Sequence, residues 1–399
     1  MATLEFKDLS FFDNKDSVKV IFLDGYYFEI PKEDLSAISE YKISKKSITF
    51  EGLNEKSANN KFSMILSRGF NELKSIRNNK QAVYIHQNSG IPLIGNTMFG
   101  IVDKGTNIIE LKPNTDCNMS CIFCSVDEGV GSKKTGEFVV EKDYLVQELK
   151  ILIEFKKKDH LTIYINVHGE PLLYSPLKEL IADIKNFKEV DVITLITNGA
   201  LLTNKVIDEL VEAGLNQMSC SVSGFDDELS KRLMGNTAYD PKKVREALTY
   251  AAKKLKLIIT PVWLNGINDS QMPKIIDFAK EIGALLGIQN FMHNQKGRNP
   301  VKEIALEEFF SKLKKLEAEH KVVLISGPNE FFATKEYEKP FNKDQTIKAE
   351  IMCRGRFKNE VIAAARGRNI VVSRCTKDRG RITIKLTKDA HNIFAGIAV

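Results

Sequence analysis

Three of the chain's six cysteines fall within eight residues, in the run Lys112-Pro113-Asn114-Thr115-Asp116-Cys117-Asn118-Met119-Ser120-Cys121-Ile122-Phe123-Cys124. Thiolates are soft ligands suited to iron–sulfur clusters. Spacings of three and two residues let one loop hold three corners of a [4Fe–4S] cube, leaving the fourth iron open to a substrate or cofactor. A structural zinc site would close its shell with four ligands, usually from two Cys-x-x-Cys knuckles. No second knuckle and no nearby His accompanies these three. Zinc, or a chance clustering, is the bland alternative. Thiols outside any disulfide framework suit a reduced compartment, so the expected location is cytoplasmic.

A loop of this kind needs a scaffold, and the rhythm around it supplies one. Expected strands at 108–111, 161–166, 190–197, 217–222, 257–263 and 287–291 alternate with expected helices at 140–157, 176–187, 203–213, 242–254 and 270–282. Strands separated by helices of this length pair in parallel through right-handed crossovers. Six units fall short of the eight that close a full barrel, so the fold class is α/β with a partial (β/α)6 TIM-like barrel. Chemistry in such folds gathers at the carboxyl ends of the strands. Residues 1–105 read as an α+β accessory domain, with a hairpin at Asp24-Gly25, a helix over 62–77 and a second hairpin joining 99–102 to 108–111. Residues 106–300 form the barrel. Residues 301–340 form a connection with one helix (306–321) and breaks at Gly327-Pro328 and Lys339-Pro340. Residues 341–399 carry five short β-like runs, expected to close into a small five-stranded OB-like barrel.

The 399 residues are 43% hydrophobic and 28% charged, which excludes a largely disordered chain. No run of 18 apolar residues is present to span a membrane, and the N-terminal sequence lacks the pattern of a secretory signal. The charge is unevenly spread. Residues 341–399 hold 13 Lys/Arg against 5 Asp/Glu, more than the whole chain's net +6. That pattern suits a polyanion-binding module on a near-neutral body, or a basic surface that only aids solubility.

The Cys-x3-Cys-x2-Cys loop, with an aromatic before its last Cys at the end of the first strand, resembles the radical S-adenosylmethionine (SAM) superfamily. The resemblance implies that Cys117, Cys121 and Cys124 bind a [4Fe–4S] cluster whose open iron chelates SAM. It further implies reductive cleavage of SAM to methionine and a 5′-deoxyadenosyl radical, with Phe123 packed beside the adenine. His168-Gly169-Glu170-Pro171 is similar to the family's Gly-Gly-Glu-Pro, so Gly169 and Glu170 would hold the SAM amino group. His168, in place of the usual Gly, either caps the strand end or faces substrate. By the same resemblance Asn198, Ser221 and Ser223 contact the ribose and carboxylate of SAM. Val262 and Asn265 lie in the segment whose backbone reads the adenine edge.

The tail resembles a TRAM domain, on the strength of Gly355, Asn359-Glu360 and His391-Asn392-Ile393-Phe394-Ala395-Gly396. Its cations Arg354, Arg356, Lys358, Arg366, Arg368, Arg374, Arg379 and Arg381 would neutralise RNA phosphates. Phe357 and Phe394 either stack bases or fill the core. The loop 293–300 either lines the substrate mouth or is a solvated connection. The 116 residues before Cys117 contain no Cys. That argues against the second cluster of methylthiotransferases, the best-known pairing of these two units. Cys220 or Cys353 could serve as a methyl carrier, or be buried structural thiols like Cys375. The combination resembles archaeal radical SAM/TRAM iron–sulfur oxidoreductases. It implies modification of an RNA nucleoside, most naturally in tRNA, by methyl or carbon-group addition at an unactivated C–H bond. An electron donor such as ferredoxin or flavodoxin would be needed. Two alternatives stand beside it: a radical SAM enzyme for a protein or small molecule that uses the tail for RNA localisation, and an RNA-binding protein with a structural cluster.

Overall fold

The central sheet of the computed structural model, which describes residues 1–325 and 332–399, has seven strands in the order β7-β6-β5-β4-β3-β2-β1. These are β1 (Gly100–Asp103), β2 (Ile108–Lys112), β3 (Leu161–Ile165), β4 (Val190–Thr197), β5 (Gln217–Cys220), β6 (Lys256–Ile259) and β7 (Leu285–Leu286). From β2 to β7 each strand pairs in parallel with the next, while β1 runs antiparallel on the edge. Ile109, Leu111, Ile163, Ile165 and Leu195 are fully buried, as expected of parallel strands covered on both faces.

The expected helices appear with ends within three residues of expectation: α1 (Lys142–Lys156), α2 (Leu177–Lys185), α3 (Asn204–Ala213), α5 (Pro241–Ala251), α6 (Gln271–Ile282) and α7 (Leu306–His320). Local chemistry sets those ends. The Thr203 hydroxyl caps α3 by accepting from the Val206 N–H, and Gly214 stops it in a left-handed conformation. Helix α4 (Asp227–Met234) was not anticipated. Asp226 caps it and Gly235 ends it.

Two expected strands differ. The run 257–263 breaks at Pro261, which has no N–H to donate to a ladder. Val262–Trp263 therefore leaves the main sheet and pairs with Gln289–Asn290. The sixth strand is correspondingly split, with β7 at Leu285–Leu286 and the second piece beyond Gly287.

The N-terminal region forms a six-stranded and a three-stranded sheet around a Phe-rich core. Its helix spans Glu55–Asn71, earlier than 62–77, because Asn54 caps it and the chain passes through the buried Leu73 into the strand Lys74–Ser75. The first hairpin closes with Phe22 opposite Tyr26, so Leu23, Asp24 and Gly25 form a three-residue loop. Gly136–Val140, which follows the cysteine loop, joins this sheet in parallel with Gln81–Ile85. The cysteine loop is therefore tied at its far end to the N-terminal region.

The last segment closes into a five-stranded barrel: Thr346–Arg354, Val361–Ala365, Arg368–Ser373, Ala395–Ala398 and Gly380–Lys388 in spatial order. Phe394 lies in its core, edge-on to Phe341 at 5.5 Å, so it stacks no base. The barrel docks on the N-terminal region through backbone bonds. Phe394 N–H donates to Gly95 O at 2.6 Å and Asn369 N–H to Ile94 O at 2.9 Å. Gly327-Pro328 lies outside the described residues. Among the described residues no helix is long and apolar enough to cross a membrane.

Candidate functional site

The cysteine loop leaves the carboxyl end of β2 and is held from three sides. Asp116, just before Cys117, accepts from Ser75 Oγ at 2.8 Å and Arg77 Nε at 2.7 Å, both N-terminal residues. The carboxyl end of α4 accepts from the loop backbone: Ser120 N–H to Met234 O and Ile122 N–H to Leu233 O, both 3.0 Å. Arg298 clamps the other side. Its guanidinium donates to Cys121 O at 3.0 Å and Glu128 O at 2.8 Å and pairs with Asp127 at 2.8 Å. The Arg298 N–H also donates to Cys124 O at 2.9 Å. Arg298 thus makes the 293–300 loop a brace at that point rather than a free connection.

The three thiols border one cavity of about 470 Å³, together with Phe123, Gly169, Glu170, Asn198, Ser221 and Val262. Seven segments far apart in sequence, and a set of side chains from successive strand ends, converge there. Burial pushes the Cys117 thiol well above its ordinary range and Cys121 up to about 12, and the neighbouring thiols push in the same direction. Such mutually repelling, buried thiols ionise only when a cation neutralises them. Among the described residues no three His, Cys, Asp or Glu groups converge tightly enough for a single ion. Three thiols that border one cavity suit a cluster in which each binds a different iron, so the donor set fits a [4Fe–4S] cluster.

Glu170, 1% exposed, accepts from Thr197 Oγ1 at 2.7 Å, Asn198 N–H at 2.8 Å and Leu172 N–H at 3.1 Å. Burial outweighs these bonds and raises its carboxyl to about 7. Gly169 is required by close approach, since a Cβ there would lie 1.9 Å from Asp116 O. His168 also borders the cavity, and burial together with the Lys112, Lys134 and Arg356 charges keeps its imidazole neutral.

Several expected contacts differ. Ser223 does not border the cavity; its hydroxyl accepts from Val262 N–H at 3.1 Å and so fixes that strand from behind. Asn265 does not border the cavity either, and its amide oxygen accepts from Lys312 Nζ. The Asn198 amide is engaged by Asn118 at 2.8 Å and Ala200 N–H at 3.0 Å, so it links β4 to the cysteine loop. Neither Cys220 nor Cys353 borders the cavity. Cys220 is buried in the core beside Gly199, and Cys353 lines a separate cleft near Tyr84. Neither is placed to carry a methyl group to this cavity.

Arg356, expected among the phosphate-binding cations, is fully buried. It pairs with Glu128 at 2.5 and 2.8 Å and with Glu137 at 2.5 Å, and donates through Nε to Gly136 O at 3.0 Å. It meets no RNA. Arg368 is half-buried, donating to Asn392 Oδ1 at 3.0 Å with its guanidinium 5.2 Å from the Tyr337 ring. Arg354, Lys358, Arg366, Arg374, Arg379 and Arg381 are exposed. Met234, whose sulfur is 3.8 Å from Cys121 Sγ, was missed with its helix; Asp226 and Gly235 were the available signals.

Residues 111–279 match the radical SAM superfamily model. The uncharacterized protein MJ0103 of Methanocaldococcus jannaschii is 31% identical over 96% of this chain and 95% of its own length. A probable GTP 3′,8-cyclase of Methanococcus aeolicus is 28% identical over 53% of this chain and 65% of its own length. Among solved structures, Streptococcus suis SuiB bound to S-adenosylmethionine aligns over 80% of this chain and 71% of its own, at TM-score 0.43 and 14% identity. TYW1 with a lysine-pyruvate adduct aligns over 53% and 73%, at TM-score 0.40 and 19% identity. The chain belongs to the radical SAM superfamily, whose members use a [4Fe–4S] cluster and S-adenosylmethionine.

Proposed function

We propose that this chain is a radical SAM enzyme that modifies a nucleoside in RNA, with tRNA the favoured substrate. In this reading residues 106–300 are a partial (β/α)6 barrel, 1–105 an accessory domain, 301–340 the connection and 341–399 a TRAM-type RNA-binding barrel. Cys117, Cys121 and Cys124 ligate the cluster through three irons, which when bound supplies the electron that cleaves SAM reductively. An external low-potential donor of the ferredoxin or flavodoxin kind reloads it, in the cytoplasm. Gly169 and Glu170 receive the SAM amino group, Phe123 and Val262 flank the adenine, and Ser221 reaches the ribose or carboxylate. The observation that carries the RNA reading is a basic five-stranded barrel, fixed to the N-terminal region by backbone bonds and tied through Arg356 to Glu128 at the border of the cofactor cavity. Arg354, Lys358, Arg366, Arg374, Arg379 and Arg381 are among its exposed cations, of which only those on one face need meet the RNA.

Mass spectrometry of tRNA nucleosides from a deletion strain tests this directly. One modified nucleoside should disappear and return with the intact gene but not with a Cys117→Ala copy. An unchanged nucleoside profile contradicts it.

Glu170 gives a pH signature. Its carboxyl is raised to about 7, so below that pH it is mostly neutral and must lose a proton before accepting from an amino group as a carboxylate. SAM affinity is expected to rise with pH up to about 7 and then level off. Glu170→Gln should remove this slope and weaken SAM binding by about 1.5–3 kcal/mol, the worth of a hydrogen bond to a charged group. Calorimetric titration with SAM at several pH values checks both. A wild-type affinity flat between pH 5.5 and 8 would sink the assignment.

A further inference from the structure

We propose that the groove between the cysteine loop, residues 295–298 and the C-terminal barrel carries the phosphodiester backbone of the substrate RNA past the mouth of the cofactor cavity. This rests on the RNA reading above and names the surface that the RNA uses. The groove has a volume of about 790 Å³ and is bordered by the cations Lys133, Lys296, Arg298, Lys358 and Arg374. Its two carboxylates are already committed. Asp127 pairs with Arg298 at 2.8 Å, and Glu360 accepts from the Arg356 N–H at 3.0 Å and pairs with Lys296 at 3.5 Å. Lys133, Lys358 and Arg374 are exposed, and among the described residues none has a carboxylate within ion-pair distance. Three uncompensated cations along one open groove match successive phosphates. A lone nucleotide would instead call for an enclosed pocket.

The groove also lies where a polymer must pass. Asn294 borders the cofactor cavity and Gln295, the next residue, borders the groove. Cys124 borders the cavity, and its carbonyl accepts from the N–H of Arg298 in the groove wall. The half-buried Phe357 ring, 5.1 Å beneath Lys296 Nζ, gives the groove an aromatic face against which a base can pack. Three of the other exposed barrel cations are differently disposed. Arg354 faces the cleft with Tyr84, Arg366 donates to Pro340 O at 3.0 Å, and Arg381 pairs with Glu350 at 3.5 Å.

The test compares two triple variants of the anaerobically reconstituted full chain. One is Lys133→Ala/Lys358→Ala/Arg374→Ala in the groove; the other is Arg366→Ala/Arg379→Ala/Arg381→Ala elsewhere on the barrel. Affinity for unmodified tRNA is measured against salt, with GTP as a separate probe. RNA-independent 5′-deoxyadenosine formation checks that each variant is folded and loaded. The groove variant should bind tRNA on the order of tenfold or more weakly, with a salt slope lower by about 2. The other variant should bind within about twofold of wild type, and deoxyadenosine formation should be unchanged in both. Equal loss in both variants, or loss only in the second, overturns the groove assignment and leaves the RNA reading standing. A wild-type protein that ignores tRNA, whether or not it binds GTP, overturns both.

Discussion

Replacing Arg356 by Met is expected to cost about 3–5 kcal/mol, because it leaves two buried carboxylates without their shared cation. Arg356 is 0% exposed and forks onto Glu128 and Glu137. Without it Glu128 retains only the Lys134 ammonium, and Glu137 retains bonds from the Thr115 hydroxyl and the Asn78 amide. Burial already pushes the Glu137 carboxyl above its ordinary range, and the Arg356 charge opposes that push, so its removal drives Glu137 toward protonation. The damage should reach the cysteines. Glu128 N–H donates to Cys124 Sγ at 3.3 Å, and Thr115 precedes Cys117 by two residues. The variant should therefore melt many degrees lower and retain less iron after reconstitution. Arg356→Lys, which keeps the charge and loses the fork, should fall between. Thermal melting with iron analysis reads both, and a variant with wild-type melting temperature and iron content would refute the role. Removal of residues 341–399 would take Arg356 with it. Such a truncation reports on cluster retention as well as on RNA binding, and point variants of the exposed cations are the sound way to separate them.

Cys117→Ala should abolish reductive cleavage of SAM, lowering 5′-deoxyadenosine formation by a factor on the order of a thousand or more. In the proposed site the loop would supply three sulfurs to a cube with four irons, so losing one would leave two irons without a protein ligand. Among the described residues no further thiol borders the cavity to replace it, since Cys220, Cys353 and Cys375 lie elsewhere. Cys220→Ala is the matching control. Its thiol is a small apolar filler in the core, so the change should cost about 1 kcal/mol and leave SAM cleavage in place. Chromatographic detection of deoxyadenosine under dithionite reads both variants. Wild-type turnover in Cys117→Ala contradicts the ligand assignment.

The parallel order of β2 to β6 and most of the helices were legible in sequence, because both rest on local periodicity and caps such as Thr203 and Asp240. The three thiols that border the cavity were legible because one loop holds them all and needs no tertiary information. Arg356 was not. Its partners Glu128 and Glu137 lie 228 and 219 residues away, and a charge count treats a buried ion-pairing arginine like an exposed one. Ser223 was misplaced for a related reason: proximity to a strand end fixes where the backbone is, but not which way a side chain points. The break at Pro261 was visible in principle, as was α4 from Asp226 and Gly235, but two turns of helix give too few apolar positions to show a period.

Electron paramagnetic resonance of the anaerobically reconstituted, reduced full chain, recorded with and without SAM alongside iron and zinc analysis, is the most direct measurement of whether Cys117, Cys121 and Cys124 hold a cluster with one open iron. About four irons per chain and a [4Fe–4S]+ signal that changes when SAM is added are the predicted result. Zinc in place of iron, or a cluster signal that SAM leaves untouched, would contradict it.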